Sequence, residues 1–146
     1  GYKKKADLRS RLLTHDLRGK NVVVVGLVSE FVRDLLANNC KVRVIDLSPE
    51  LRNKKIIDIP IITKGNDKTL ELIKSADYAL ISGCTVANGT IDSILSVAKK
   101  NKTCLRFYME TGSNIAPKVK EAGAEVVVAE IFPFYDMPGT TRFEVY

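Results

Sequence analysis

The chain has 146 residues, 45% of them hydrophobic and 27% charged, which is the size and balance of one globular domain with a core of its own. No apolar run approaches the roughly 18 residues a membrane helix needs, and the lysine-bearing start lacks the apolar centre of a secretory signal. The formal net charge is +6, and residues 1–20 alone hold seven basic side chains against two acids, so the remainder is nearly neutral.

A basic arm of this kind is ordinarily a solvated face or a contact with a partner domain, and nucleic acid is not expected as a partner. Cys40, Cys84 and Cys104 are odd in number and widely spaced, with no C-x-x-C pair. That pattern argues against a disulfide framework or a cysteine-rich zinc site and suits a cytoplasmic protein. The absence of Gln and Trp beside abundant Lys and Ile leans towards a thermophilic source.

In chain order, residues 1–18 read as a basic leading helix. "NVVVVG" (21–26) and "KVRVID" (41–46) are short and β-branched, and end in Gly or Asp, which marks them as strands. Between them, "SEFVRDLLANN" places Phe31, Val32, Leu35 and Leu36 at helical spacing, with Ser29 as the expected N-cap and Asn38-Asn39 as the stop. "PIITKG" (60–65) reads as a strand near an edge, because Pro60 opens it. A helix follows over 66–76, capped by Asn66 or Asp67, then a strand over 77–83 and a helix over 90–100. A strand over 103–110, a short helix ended by Gly123, a strand over 124–130 and an edge strand over 142–146 complete the pattern.

Strands alternating with helices of about ten residues define an α/β fold. The expectation is one three-layer, doubly wound, Rossmann-like domain over 1–146, with a mostly parallel sheet of five to seven strands.

In such a sheet, ligands bind beyond the carboxyl ends of the strands, where strand order reverses. "LISGCTVANGTIDSIL" (80–95) leaves the fourth expected strand through Gly83, Cys84, Thr85, Asn88, Gly89 and Thr90, residues that fill no core. Gly83 and Gly89 let the backbone turn, and Thr90 caps a helix whose N-terminus favours acceptor groups. After the fifth expected strand, Glu110, Thr111, Gly112, Ser113 and Asn114 form a second loop of the same character. After the first, Gly26 and Ser29 face the same edge.

Gly26 and Asp46 are 20 residues apart, the separation between a dinucleotide fingerprint's first glycine and its ribose-binding acid. The second and third glycine positions hold Val28 and Phe31, which argues against NAD(P) or FAD bound in the usual way. A ribose held without a pyrophosphate, in a nucleoside or an S-adenosylmethionine-like cofactor, stays open, as does a plain capping role for Asp46.

Catalytic signals are thin. His15 is the sole histidine, expected on the surface of the leading helix, so a Cys-His pair with Cys84 is not expected. No general base is identifiable, and whether the protein is an enzyme stays undecided. Cys84 and Glu110 are the candidate donors for a soft metal, although Glu130 and Asp136 complete no local ligand spacing. Residues 131–146 form an aromatic loop with Phe132, Phe134 and Tyr135, either a lid over a flat ligand or a contact with a partner chain. A homodimer joined there, or a separate partner domain, is the expectation.

"ISGCTVANGTIDSIL" resembles the Thr-Gly-Ser-x-x-x-Asn-x-Thr-x-x-x-Leu motif of the "Putative heavy-metal chelation" family, Rossmann-like domains of unknown function. The match falls on Ser82, Gly83, Cys84, Asn88, Thr90 and, less strictly, Ile94 and Leu95, within a likeness spanning about residues 19–130. The resemblance implies a site around these loops, facing an enolase-like N-terminal domain for which this sequence has no room. Another chain would then complete the site. Cys84 stands where the family has serine, and Glu110-Thr111-Gly112-Ser113 stands for its Gly-Pro-Ser-Thr, which adds a thiol and a carboxylate. The expected function is binding of a small anionic ligand or metal chelate. A transferase using an adenosine-containing cofactor and a protein-interaction scaffold are the alternatives.

Overall fold

The computed structural model describes residues 9–82, 90–109, 115–131 and 142–146. Among these, β1 (Asn21–Val25), β2 (Lys41–Ile45), β3 (Lys55–Ile56), β4 (Ile59–Ile62), β5 (Tyr78–Ser82), β6 (Cys104–Met109), β7 (Val126–Ile131) and β8 (Arg142–Val145) form one sheet in the order β3-β4-β2-β1-β5-β6-β7-β8. The six central strands run parallel, and β3 and β8 close the two edges antiparallel. Helical residues 9–14 (α1) and helices α2 (Ser29–Ala37), α3 (Asn66–Ser75), α4 (Ile91–Asn101) and α5 (Ala116–Glu121) complete the described elements. None of these helices is long and apolar enough to cross a membrane.

Strand β1 shows why the fold has three layers. All four of its valines are buried, but period-two alternation splits them between opposite faces. Val23 and Val25 join Leu72, Ile73, Ile94, Ala98, Ala116 and Val119, so α3, α4 and α5 cover one face. Val22 and Val24 join Leu13, Leu17, Phe31, Val32 and Leu35, so the leading segment and α2 cover the other. Each fully buried valine contributes about 1.5–3 kcal/mol of transfer free energy.

Residues 9–18 of the leading segment are therefore packed on the core. Leu13 and Leu17 are fully buried, Cys40 Sγ lies 2.9 Å from the Leu17 carbonyl, and Asn38 Nδ2 donates to the Thr14 carbonyl at 3.2 Å. His15 follows α1 in an exposed turn, its Nδ1 2.7 Å from the Arg11 carbonyl oxygen.

The sheet has one strand more than the five to seven expected. The addition is β3, which turns into β4 through Ile57 and Asp58, both left-handed at φ 47° and 64°. That places β4 second from the edge, near it as expected. Pro60 is tolerated because Lys55 and Pro60 form a pair that needs no proline N–H, while Ile61 N–H reaches the Lys54 carbonyl at 3.0 Å.

Two caps also differ from expectation. Val28, not Ser29, is the N-cap of α2, and Gly65, not Asn66 or Asp67, is that of α3. Thr90 holds the N-cap position of α4 but with helical backbone and no side-chain capping bond, Asn38 and Asn39 end α2, and Gly123 follows α5 at φ 118°. The aromatic run Phe132, Phe134 and Tyr135 lies outside the described residues.

Candidate functional site

Strand order reverses between β1 and β5, because β1 is followed in the sheet by β2 on one side and β5 on the other. A cleft of about 610 Å³ opens there, within the usual range for small-molecule sites. Its floor is Val25 and Gly26 at the end of β1, Ile45 and Asp46 at the end of β2, and Ser82 at the end of β5. Leu47 and Ser48 extend one wall, and the first turns of α3 (Asn66, Asp67, Thr69, Leu70) and α4 (Ser93, Ile94, after Thr90) form the other.

Gly26 has φ 87°, and any Cβ placed on it would collide with Ser82 Oγ and lie 3.0 Å from Ser82 Cβ. The strand ends can approach this closely only because position 26 is glycine. The turn directs the next amide towards β2. Leu27 N–H donates to Asp46 Oδ2 at 2.8 Å, while Ser48 N–H donates to Asp46 Oδ1 at 2.9 Å. Burial works against the charge on Asp46, but these bonds and the Ser48 hydroxyl prevail and hold its carboxyl below the usual range. Asp46 is thus a brace between two loops at the cleft floor.

The N-terminus of α2, which holds the pyrophosphate in dinucleotide-binding folds, contributes no residue to the described lining of the cleft. Phe31 packs edge-on against Tyr108 with ring centroids 5.7 Å apart. Arg9 reaches the Tyr108 hydroxyl at 2.6 Å and stacks 5.3 Å from its ring, and Ser10 Oγ donates to the Glu30 carbonyl at 3.3 Å. The leading segment lies over that face, and the cleft belongs to the face of α3 and α4.

Of the residues singled out from the sequence, Gly26, Asp46 and Thr90 line the cleft, whereas Ser29, half-buried on the first turn of α2, is not part of its described lining. Gly83, Cys84, Thr85, Asn88, Gly89, Glu110, Thr111, Gly112, Ser113 and Asn114 lie outside the described residues. Ser48, Asn66, Asp67, Ser82 and Ser93 line the cleft without having been singled out as ligand contacts. Their signal was positional, since each follows the carboxyl end of a strand or opens a helix after one. Among the described residues, no three of His, Cys, Asp and Glu are grouped to hold a metal ion.

Strand order and cleft together define a Rossmann-like domain with its crevice at the switch point. The family model described as "Putative heavy-metal chelation" (DUF364) matches residues 10–105, and the chain belongs to that family. Among solved structures, it is similar to a DUF364 protein of unknown function from Desulfitobacterium hafniense, with TM-score 0.62 and 19% identity over 84% of this chain and 44% of that one. A DUF364 protein of unknown function from Pyrococcus horikoshii gives TM-score 0.58 and 21% identity over 82% of this chain and 45% of that one. At these identities the likeness speaks for the fold, and the chain spans less than half the length of either. No curated protein matched the chain.

Proposed function

We propose that this domain binds a small chelated metal in the cleft at the carboxyl ends of β1, β2 and β5. The observation that carries the proposal is the cleft's chemistry. Its described lining has two carboxylates, Asp46 and Asp67, with the hydroxyls of Ser48 and Ser93, and includes no Lys or Arg. Carboxylates favour a positive centre, whereas the N-termini of α3 and α4 favour acceptor atoms. A metal chelate carries both.

The described residues offer too few grouped donors for a bare ion. A chelate brings most of its own donor atoms and needs from the protein a shaped cavity and a few contacts. Cys84 and Glu110, on the segments that follow β5 and β6, are the donors from the sequence that would select a soft ion. Membership in a family described by heavy-metal chelation supports the same class of ligand.

Calorimetry and native mass spectrometry with Zn²⁺ and Ni²⁺, each alone and as citrate or histidine complexes, test this. A complex should bind better than its bare ion, and Leu70→Trp, which crowds the cleft wall, should weaken it about tenfold. Binding unchanged by Leu70→Trp, or none with any complex, would rule the proposal out.

A further inference from the structure

We infer that Asp46 is the residue that keeps phosphate-like anions off the Leu27 and Ser48 amides at the floor of this cleft, by serving as their built-in anion. The inference rests on the cleft as the ligand site proposed above and names a class of ligand that these two amides do not take.

Two amides from separate segments converge on one carboxylate. Leu27 N–H, 19 residues away in sequence, meets Oδ2 at 2.8 Å, and Ser48 N–H meets Oδ1 at 2.9 Å. In glycine-rich phosphate-binding folds the amides of the first loop are left for the ligand's oxygens. Here Gly26 makes the corresponding turn at φ 87°, but the amide it presents is taken by the chain's own carboxylate. Val28 and Phe31 stand where further glycines would let a phosphate approach, and Phe31 is buried against Tyr108. A sulfate or phosphate taking these two amides would have to displace Asp46 from both and then sit beside its charge, with Asp67 on the cleft wall. Neutral or positively charged groups meet no such opposition.

Removing the carboxylate should therefore open the Leu27 and Ser48 amides to an anion. Sulfate is the probe, because its charge is constant across the working range, and amide NMR at Leu27 and Ser48 with calorimetry is the measurement. In Asp46→Ala, sulfate should shift both amides and bind at least about tenfold more tightly than in the parent. Asp46→Asn, which loses the charge but keeps one acceptor, should show a smaller gain. Asp77→Ala removes a carboxylate that accepts the Asn21 N–H at the opposite end of the sheet, and should show no gain.

A residue that only braced the loops would leave sulfate binding unmoved. The inference is overturned if folded Asp46→Ala gains nothing, if the parent binds sulfate as tightly, or if Asp77→Ala gains as much. Should Asp46→Ala not fold, Asp46→Asn decides, a gain over the parent supporting the inference and its absence overturning it. Chelate binding by the parent is scored separately, so loss of the proposed function and loss of this inference give different results.

Discussion

Arg106, in the middle of β6, grips both carboxylate oxygens of Asp16 in the leading segment, at 2.6 and 2.8 Å. The guanidinium is almost wholly buried, and it also donates to Glu125 at 2.9 Å and to the Leu13 carbonyl at 3.0 Å, while lying 5.0 Å from the centre of the Tyr78 ring. A buried cation with this many partners ties the segment before β1 to β6, two strands away on the sheet face that the segment covers. Removing one partner of a buried pair costs about 3–5 kcal/mol. Asp16 is half-exposed and Glu125 would remain, so Asp16→Asn should cost less, about 1–3 kcal/mol, in urea unfolding.

The same pair sets an acid limit. The hydrogen bonds from Arg106 lead in holding the Asp16 carboxyl down at about 2, against partial burial, and the Arg106 charge adds to them. A carboxylate whose folded value lies below its unfolded value, about 3.9, contributes stability above that pH and loses it as pH falls towards the folded value. Urea midpoints should therefore drop for the parent between about pH 4 and pH 2. Asp16→Asn should start lower and show a shallower slope across that window. Parallel slopes would assign the acid limit to other carboxylates.

Position 26 offers a test of the cleft floor. Gly26→Ala should cost about 2 kcal/mol or more, because φ 87° is strained for any side chain and the new methyl meets Ser82. Ser82→Gly removes the steric part and not the backbone part. A double-mutant cycle should return a positive coupling of about 1 kcal/mol, and strict additivity would show that the strand ends do not touch.

Some positions should be easy to improve. Ile57 sits at φ 47° in a two-residue turn and is 48% exposed, so a β-branched side chain holds a conformation that suits asparagine or glycine. Ile57→Asn should raise stability by about 0.5–1.5 kcal/mol with little apolar burial lost. A fall in the thermal midpoint would mean that the turn is not left-handed at this position.

That turn also marks where the sequence stops being legible. The valines of β1 declare a strand buried on both faces, and Phe31, Val32 and Leu35 declare the helix that returns to β2. The β3–β4 turn carries Ile57-Asp58 instead of an Asn-Gly signal, and β3 has only two residues, too few for alternation to register. Ser29 and Asn66 have the chemistry of N-caps, yet the extended backbone that defines a cap falls one residue earlier, on Val28 and Gly65. In the cleft, Gly26 and Asp46 were legible because each directly follows a strand, and Thr90 because it directly precedes a helix. Asn66, Asp67 and Ser93 required knowing that α3 and α4 begin side by side over the switch point, which depends on sheet order and on no local pattern.

The three cysteines provide a last prediction. Burial leads in pushing the Cys40 thiol up, against hydrogen bonds from the Lys20 and Gly19 backbone. Burial leads at Cys104 as well, followed by the charge of Glu125. Both thiols therefore hold less thiolate at neutral pH than a free cysteine, and thiolate is the reacting form. Cys104 opens β6 and Cys40 precedes β2, so both sit at the end of the sheet remote from the cleft. Cys84 follows the last residue of β5 by two positions in the sequence, and in the proposed function it is a donor to the bound metal, a role that a thiolate fills. Brief alkylation with iodoacetamide followed by peptide mapping should label Cys84 first. A soft ion presented as a chelate should slow that labelling and leave Cys40 and Cys104 unaffected. If Cys104 labels ahead of Cys84, or the chelate protects all three alike, Cys84 is not a donor in the cleft.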